Sequence, residues 1–200
     1  MTSARQRLLE LLAEKSFRLG EFKLSSGATS DYYIDCRTTT LDAEGARTTA
    51  SVVLDEIHAR NWRPQAIGGL TLGADPIVAS VAALSAETDS PIHGFIVRKA
   101  EKSHGTTRRI EGFVQADARV VIVDDVCTTG SSTVQAIEAT RQAGMVVVGV
   151  MCLVEREEAG GRAEVERVAA PAPFIAIFQA AEIRQQFQRS STGRIEAHRT

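Results

Sequence analysis

The sequence predicts an α/β fold: a mostly parallel sheet flanked by helices, with a small N-terminal add-on. Two observations carry this reading. The runs "QAIGGL", "HGFIVRK", "RVVIVDD" and "MVVVGVMCLVER" are rich in apolar residues with no clean alternation, the pattern of strands buried on both faces. Amphipathic stretches of helical period are interleaved with them, as in a sheet built from crossover units. The first 40 residues break that rhythm. The chain therefore divides into an add-on over 1–40, a core over 41–190 and a frayed tail over 191–200.

Each element has its own signal. Residues 3–15 place Leu8, Leu9, Leu11 and Leu12 on one face of a short helix. "FKLSSGATSDYYIDC" alternates around a Ser-Ser-Gly turn, which suggests two short strands. Residues 42–60 read as a helix with an acidic start, and Pro64 punctuates the chain after it. "QAIGGL" is a strand, and "ADPIVASVAALSAE" is a helix with Pro76 near its first turn. "HGFIVRK" is a strand, followed by a polar stretch to about residue 112. "RVVIVDD" is a strand, and "SSTVQAIEATRQAG" is a helix closed by Gly144. "MVVVGVMCLVER" and "FIAIF" are strands, and "AEIRQQFQ" is a final short helix.

Composition narrows the classes of function. A hydrophobic share of 44% with 24% charged residues is that of a folded globular chain. No apolar run approaches the roughly 18 residues of a membrane helix, and "MTSARQRLLELLAEKS" lacks a signal-peptide pattern, so the expected location is cytoplasmic. A net charge of −2 provides no field for nucleic acid, and an anionic ligand needs a local cluster of cations. Cys36, Cys127 and Cys152 are far apart and odd in number, a pattern of neither disulfides nor zinc.

The strand ends converge on one chemistry. Ligands of open parallel sheets bind beyond the carboxyl ends of the strands. There the chain delivers "GGLTLGADP", then Arg98 and Lys99, then Asp124 and Asp125, then Glu155 and Arg156. Thr128 to Ser132 lie where a loop becomes a helix, so free backbone N–H groups and the helix dipole form an anion site. Asp124 and Asp125 can accept hydrogen bonds from a sugar diol. Together these residues describe a seat for ribose 5-phosphate. Taken alone, "TTGSS" is equally an N-capped helix. A receiver-type phospho-acceptor also carries an acid pair after an apolar strand, but there the pair closes the first strand; here 123 residues precede Asp124. A metal site also remains open, although no His or further acid lies at ligand spacing. "RKAEKSHGTTRRIEG", positions 98–112, gathers Arg98, Lys99, Lys102, Arg108 and Arg109 with His104. It suits a lid over a highly charged group, or else a solvated basic loop.

These segments resemble a known family. "VVIVDDVCTTGSS" is similar to the phosphoribosyl-diphosphate (PRPP) signature of the type I phosphoribosyltransferases. "RKAEKSHG" resembles the catalytic loop of the orotate phosphoribosyltransferase branch, "FKLSSGATSDYYID" its N-terminal hood, "GGLTLGADP" its pyrophosphate loop and "VEREEAGG" its orotate-contacting segment. The resemblance covers about residues 17–160 with the motifs in family order. It implies a type I phosphoribosyltransferase-like sheet with a hood, and transfer of ribose 5-phosphate from PRPP to orotate with Mg²⁺. It further implies a homodimer whose 98–112 loop reaches the partner's site; the charge balance and the lack of an apolar span argue against nucleic-acid and membrane partners.

Residue by residue, the resemblance implies that Arg98, Lys99, Lys102 and His104 contact the diphosphate, with Lys102 and His104 as the catalytic pair. Asp124, Asp125, Val126, Cys127, Thr128, Thr129, Gly130, Ser131 and Ser132 hold the ribose and its 5-phosphate. Thr128, Arg156, Tyr32 and Tyr33 surround orotate. The protein itself supplies no metal ligand, and Mg²⁺ is held mainly by phosphate oxygens and water. Two positions depart from the family pattern: Ser25 and Leu72 stand where many relatives have lysine. Two other functions stay open, a phosphoribosyltransferase for another base such as a purine, and a PRPP-sensing regulator.

Overall fold

The structure, a computed structural model, describes residues 3–23, 29–99 and 109–197, with side chains as far as Ser191. Helix α1 (Ala4–Leu11) starts at Ser3, whose hydroxyl accepts from the Gln6 N–H, and runs into a π turn over Leu12–Ser16. Strands β1 (Phe17–Lys23) and β2 (Thr29–Ile34) pair antiparallel as a separate two-stranded ribbon. A short helix α2 (Arg37–Thr40) precedes α3 (Ala43–Ala59), which Asp42 caps by accepting from the Gly45 N–H. Then follow β3 (Ala66–Leu70), α4 (Asp75–Ser85) with Pro76 in its first turn, β4 (His93–Val97) and β5 (Ile110–Gly112). The second half holds β6 (Arg119–Cys127), α5 (Ser131–Gln142), β7 (Val146–Glu155), α6 (Gly161–Ala169), β8 (Phe174–Gln179) and α7 (Ala180–Ala197).

The main sheet has the order β5-β4-β3-β6-β7-β8 and is parallel except for β5, which runs antiparallel at the edge. The two centres of burial lie on its two faces. One joins α1, α3, α4 and α7, with Leu8, Val53, Ile77 and Ile183. The other joins α5 and α6, with Ile137, Val165 and Phe174. Leu8, Leu12, Phe17 and Tyr32 of the first 40 residues belong to the first cluster, so the N-terminal segment shares the core of the sheet.

Several elements differ from the sequence reading. Strand β5 lies at the end of a stretch read as polar loop, because three residues at an edge carry too little pattern to register. Helix α6 was not read: "GRAEVERVA" buries only Gly161, Val165 and Ala169, a narrow stripe among charges. The last helix is longer than the expected 181–188 and extends to Ala197, through part of the stretch set apart as tail. Strand β6 runs two residues past Asp125. No described helix is long and apolar enough to cross a membrane.

Candidate active site

The carboxyl ends of β3, β6 and β7 open onto two adjoining pockets that share Thr128, Thr129 and Arg156. The first, of about 580 Å³, is lined by Asp124, Asp125, Val126 and Thr128 to Ser132, with Leu70–Gly73, Lys99 and Tyr33 around them. The second, of about 750 Å³, lies between Ser30 to Tyr32 of β2, the segment Arg156–Ala159, and Ala180, Ala181 and Arg184 of α7.

The anion cradle of the first pocket is built by glycine. Gly130 caps α5 with φ +76°, a left-handed conformation that side chains seldom adopt, and makes no side-chain cap bond. The first N–H groups of α5 therefore have no intrahelical partner. Gly161, the first residue of α6, supports this loop from behind, with its N–H bonded to the Thr128 carbonyl at 3.1 Å. A Cβ on Gly161 would lie 2.3 Å from that oxygen and 2.7 Å from the Gly130 nitrogen.

Burial raises both acids of the same pocket, Asp124 the more. Asp124 is 5% exposed and accepts from Thr133 Oγ1 at 2.8 Å and from the Asp125 N–H at 3.0 Å. Burial, then the neighbouring Asp125 charge, pushes its carboxyl up to about 7. Asp125 is also raised by burial, partly offset by its bond from the Val126 N–H and by the Arg37 charge. Gly73 packs against Asp125, since a Cβ there would meet Asp125 Oδ1 at 2.2 Å.

The second pocket is organised by Arg156, which is 6% exposed. Its guanidinium lies 4.4 Å from the Tyr32 ring centre, and its Nη2 donates to Ser30 Oγ at 2.9 Å. Its Nε faces Tyr32 Oη and Glu158 Oε1, each at 3.1 Å. Tyr32 stacks on Phe17 at 5.5 Å. Burial, then the hydrogen bond to Glu158, pushes its phenol up to about 12.

Most residues singled out in the sequence converge here, with exceptions. The tyrosines divide: Tyr32 lines the Arg156 pocket, whereas Tyr33 lines the acid-pair pocket, because neighbours on a strand face opposite sides. Arg98 turns toward Glu111 on β5, at 3.3 Å, and only Lys99 of that pair lines a pocket. The Cys127 side chain is buried in the core beneath the loop. Glu155, 2% exposed, is held by Arg162 and Gln179 behind the site. Lys102, His104 and Arg108 lie outside the described residues, as does Ser25. Leu72 is 64% exposed on the pocket rim.

Sequence reasoning missed Ser30, Asp35, Arg37, Glu158 and Arg184. Asp35 and Arg37 form a two-pronged ion pair, with both bonds 2.8 Å long, on the wall of the acid-pair pocket. Arg184 meets Asp31 at 2.7 Å across the other pocket. Ser30, Asp35, Glu158 and Arg184 lie inside stretches quoted above and Arg37 just beyond one, but which side chains face the pockets requires the fold.

Residues 54–169 match the phosphoribosyl transferase domain. The orotate phosphoribosyltransferase of Aquifex aeolicus is 40% identical over 182 residues, which span 90% of this chain and 97% of that one. The crystal structure of orotate phosphoribosyltransferase from Mycobacterium tuberculosis in complex with Fe(III) dicitrate superposes with a TM-score of 0.77 at 34% identity, covering 90% of this chain and 99% of that one. The same enzyme in complex with PRPP gives 0.73 at 30% identity, with the same coverage.

Proposed function

The chain belongs to the orotate phosphoribosyltransferase family, and we propose that its two joined pockets are where that family's reaction takes place. The enzyme transfers ribose 5-phosphate from PRPP to orotate, giving orotidine 5′-monophosphate and diphosphate in pyrimidine synthesis. The supporting observation is the sharing of Thr128, Thr129 and Arg156 between a pocket suited to a sugar phosphate and one suited to an anionic base.

In this reading Asp124 and Asp125 accept from the ribose hydroxyls. The start of α5, with the hydroxyls of Thr128, Thr129, Ser131 and Ser132, holds the 5-phosphate. Arg156 meets the orotate carboxylate with parallel hydrogen bonds, against Tyr32. The C1–oxygen bond to diphosphate breaks as the base nitrogen bonds to C1, and the sugar carries positive charge between them. No covalent nucleophile is required, so catalysis is positioning and charge stabilisation. Lys99 and Arg98 begin the 98–112 loop, whose Lys102 and His104 face the departing diphosphate. Closure of this loop excludes water that could hydrolyse PRPP.

Among the described residues no three His, Cys, Asp or Glu side chains gather to hold a metal. In this reading the acid pair is turned to the ribose hydroxyls, which leaves the ion to the substrate's phosphates. This donor set fits a magnesium ion carried on substrate phosphate oxygens and water rather than in a protein cage. When bound, the ion offsets charge on the diphosphate. A homodimer with the 98–112 loop shared across subunits and a cytoplasmic location belong to the same proposal.

The test is a base panel with PRPP and Mg²⁺. Orotate consumption, with uracil, adenine and hypoxanthine unchanged, is the expected result. Turnover of a purine base would assign a purine enzyme, and no turnover a PRPP-binding regulator.

A further inference from the structure

One carboxylate in the base pocket has no part in the reaction as derived above. Glu158 sits in the 3-10 turn Glu157–Ala159 between β7 and α6. Its Oε1 lies 3.1 Å from Arg156 Nε and 3.0 Å from Arg156 Nη2. Those two nitrogens form an edge with which a guanidinium grips a carboxylate. The same oxygen accepts from the Tyr32 hydroxyl. Asp31, another acid lining this pocket, is engaged by Arg184.

The two partners of this pair are not equally free. Arg156 is buried, stacked on Tyr32 and tied to Ser30. The Glu158 side chain is 54% exposed, and its turn ends at Gly160, around whose Cβ position nothing lies within 4 Å. The arginine is the fixed member and the glutamate the displaceable one.

Resting on the orotate reading above, we infer that Glu158 is an internal competitor for the substrate's carboxylate. It keeps Arg156 paired in the unliganded protein and gives up the Nε/Nη2 edge when orotate arrives. A buried cation without a partner is strongly unfavourable. Exchanging one carboxylate for another keeps Arg156 neutralised before and after binding. The exchange also weakens apparent affinity, because orotate binds only the fraction of molecules in which Glu158 has swung away.

Glu158→Gln preserves shape and removes the charge. At saturating PRPP, the orotate KM of this variant is expected to fall roughly 2- to 5-fold, the scale of one half-exposed ion pair. Its PRPP KM should stay within about twofold. Glu158→Ala should shift the orotate KM in the same direction, and both variants are expected to melt several degrees below the parent, because Arg156 loses its carboxylate, and to recover that loss when orotate is added. Glu164→Gln, which removes an exposed charge of α6 paired with Arg167, serves as the field control and should leave the orotate KM unchanged. An unchanged or raised orotate KM in Glu158→Gln, or lost turnover, would overturn the inference and make Glu158 a support for Arg156. An equal fall in Glu164→Gln would also overturn it, in favour of a general field effect. Orotate turnover by the parent enzyme tests the assigned function separately, whichever way the KM moves.

Discussion

At the level of single residues, the proposed role of Asp124 sets function against stability. Its carboxyl titrates near 7 in the folded chain against about 3.8 unfolded, because burial and Asp125 oppose its charge. The folded state therefore holds a proton that the unfolded state has lost, and stability falls as pH rises from about 4 to about 7. Asp124→Asn can keep both local bonds, accepting from the Asp125 N–H and donating to Thr133. It is expected to raise the melting temperature by several degrees at pH 8 and much less at pH 4. The same variant should raise the PRPP KM about tenfold, through loss of a charged acceptor for the diol. Melting curves at the two pH values and steady-state kinetics check both halves. A variant no more stable at pH 8 would show that the buried charge is not costly.

At the level of elements, the start of α6 supports the start of α5. The Gly161 N–H bonds the Thr128 carbonyl, and the Cβ of any other residue would press on the backbone of Thr128–Gly130. Backbone cannot yield as a flexible side chain can. Gly161→Ala is expected to cost about 1–3 kcal/mol of stability. It should raise the PRPP KM more than the orotate KM, since the phosphate cradle moves first. Urea titration and the two KM values measure this, and a uniform rise in both would point to general damage instead. Helix α6 itself was not legible in the sequence. Its apolar stripe is three small or branched residues wide, and its position is set by contact with the loop it supports.

At the level of the whole molecule, the proposed sharing of the 98–112 loop predicts complementation. Lys102→Ala and Arg156→Ala are each expected to lose about a hundredfold in kcat/KM, the scale of one charged contact. Mixed and allowed to exchange subunits, the two variants should regain about a quarter of the parent's activity, since half the dimers are hybrid and one site in each is intact. Activity that stays at the level of the separate variants would place the loop over its own subunit's site. Much of the architecture behind this was legible beforehand. The buried strands, the helices between them and the joining of acid pair, phosphate loop and Arg156 at one sheet edge follow from burial periodicity and from the rule that parallel strands present their carboxyl ends together. Less legible were the side of the ribbon each tyrosine faces and the turn of Arg98 toward Glu111, because a one-residue change of register inverts a side chain's environment.

By itself the sequence determined the fold class, the family and the residue types of the site. Those depend on local patterns: apolar runs, a glycine at a helix start, charges at strand ends. Only the tertiary structure decided which of those residues meet. Ser30 and Tyr32, more than 120 positions from Arg156 in the chain, hold its guanidinium. Glu158, two residues away, occupies the Nε/Nη2 edge of that guanidinium. Pairings of that kind depend on how the hood ribbon packs against the ends of β7 and α7. That packing is set by the shared core of Phe17, Tyr32 and Phe178, a non-local result of folding that no short stretch of the chain encodes.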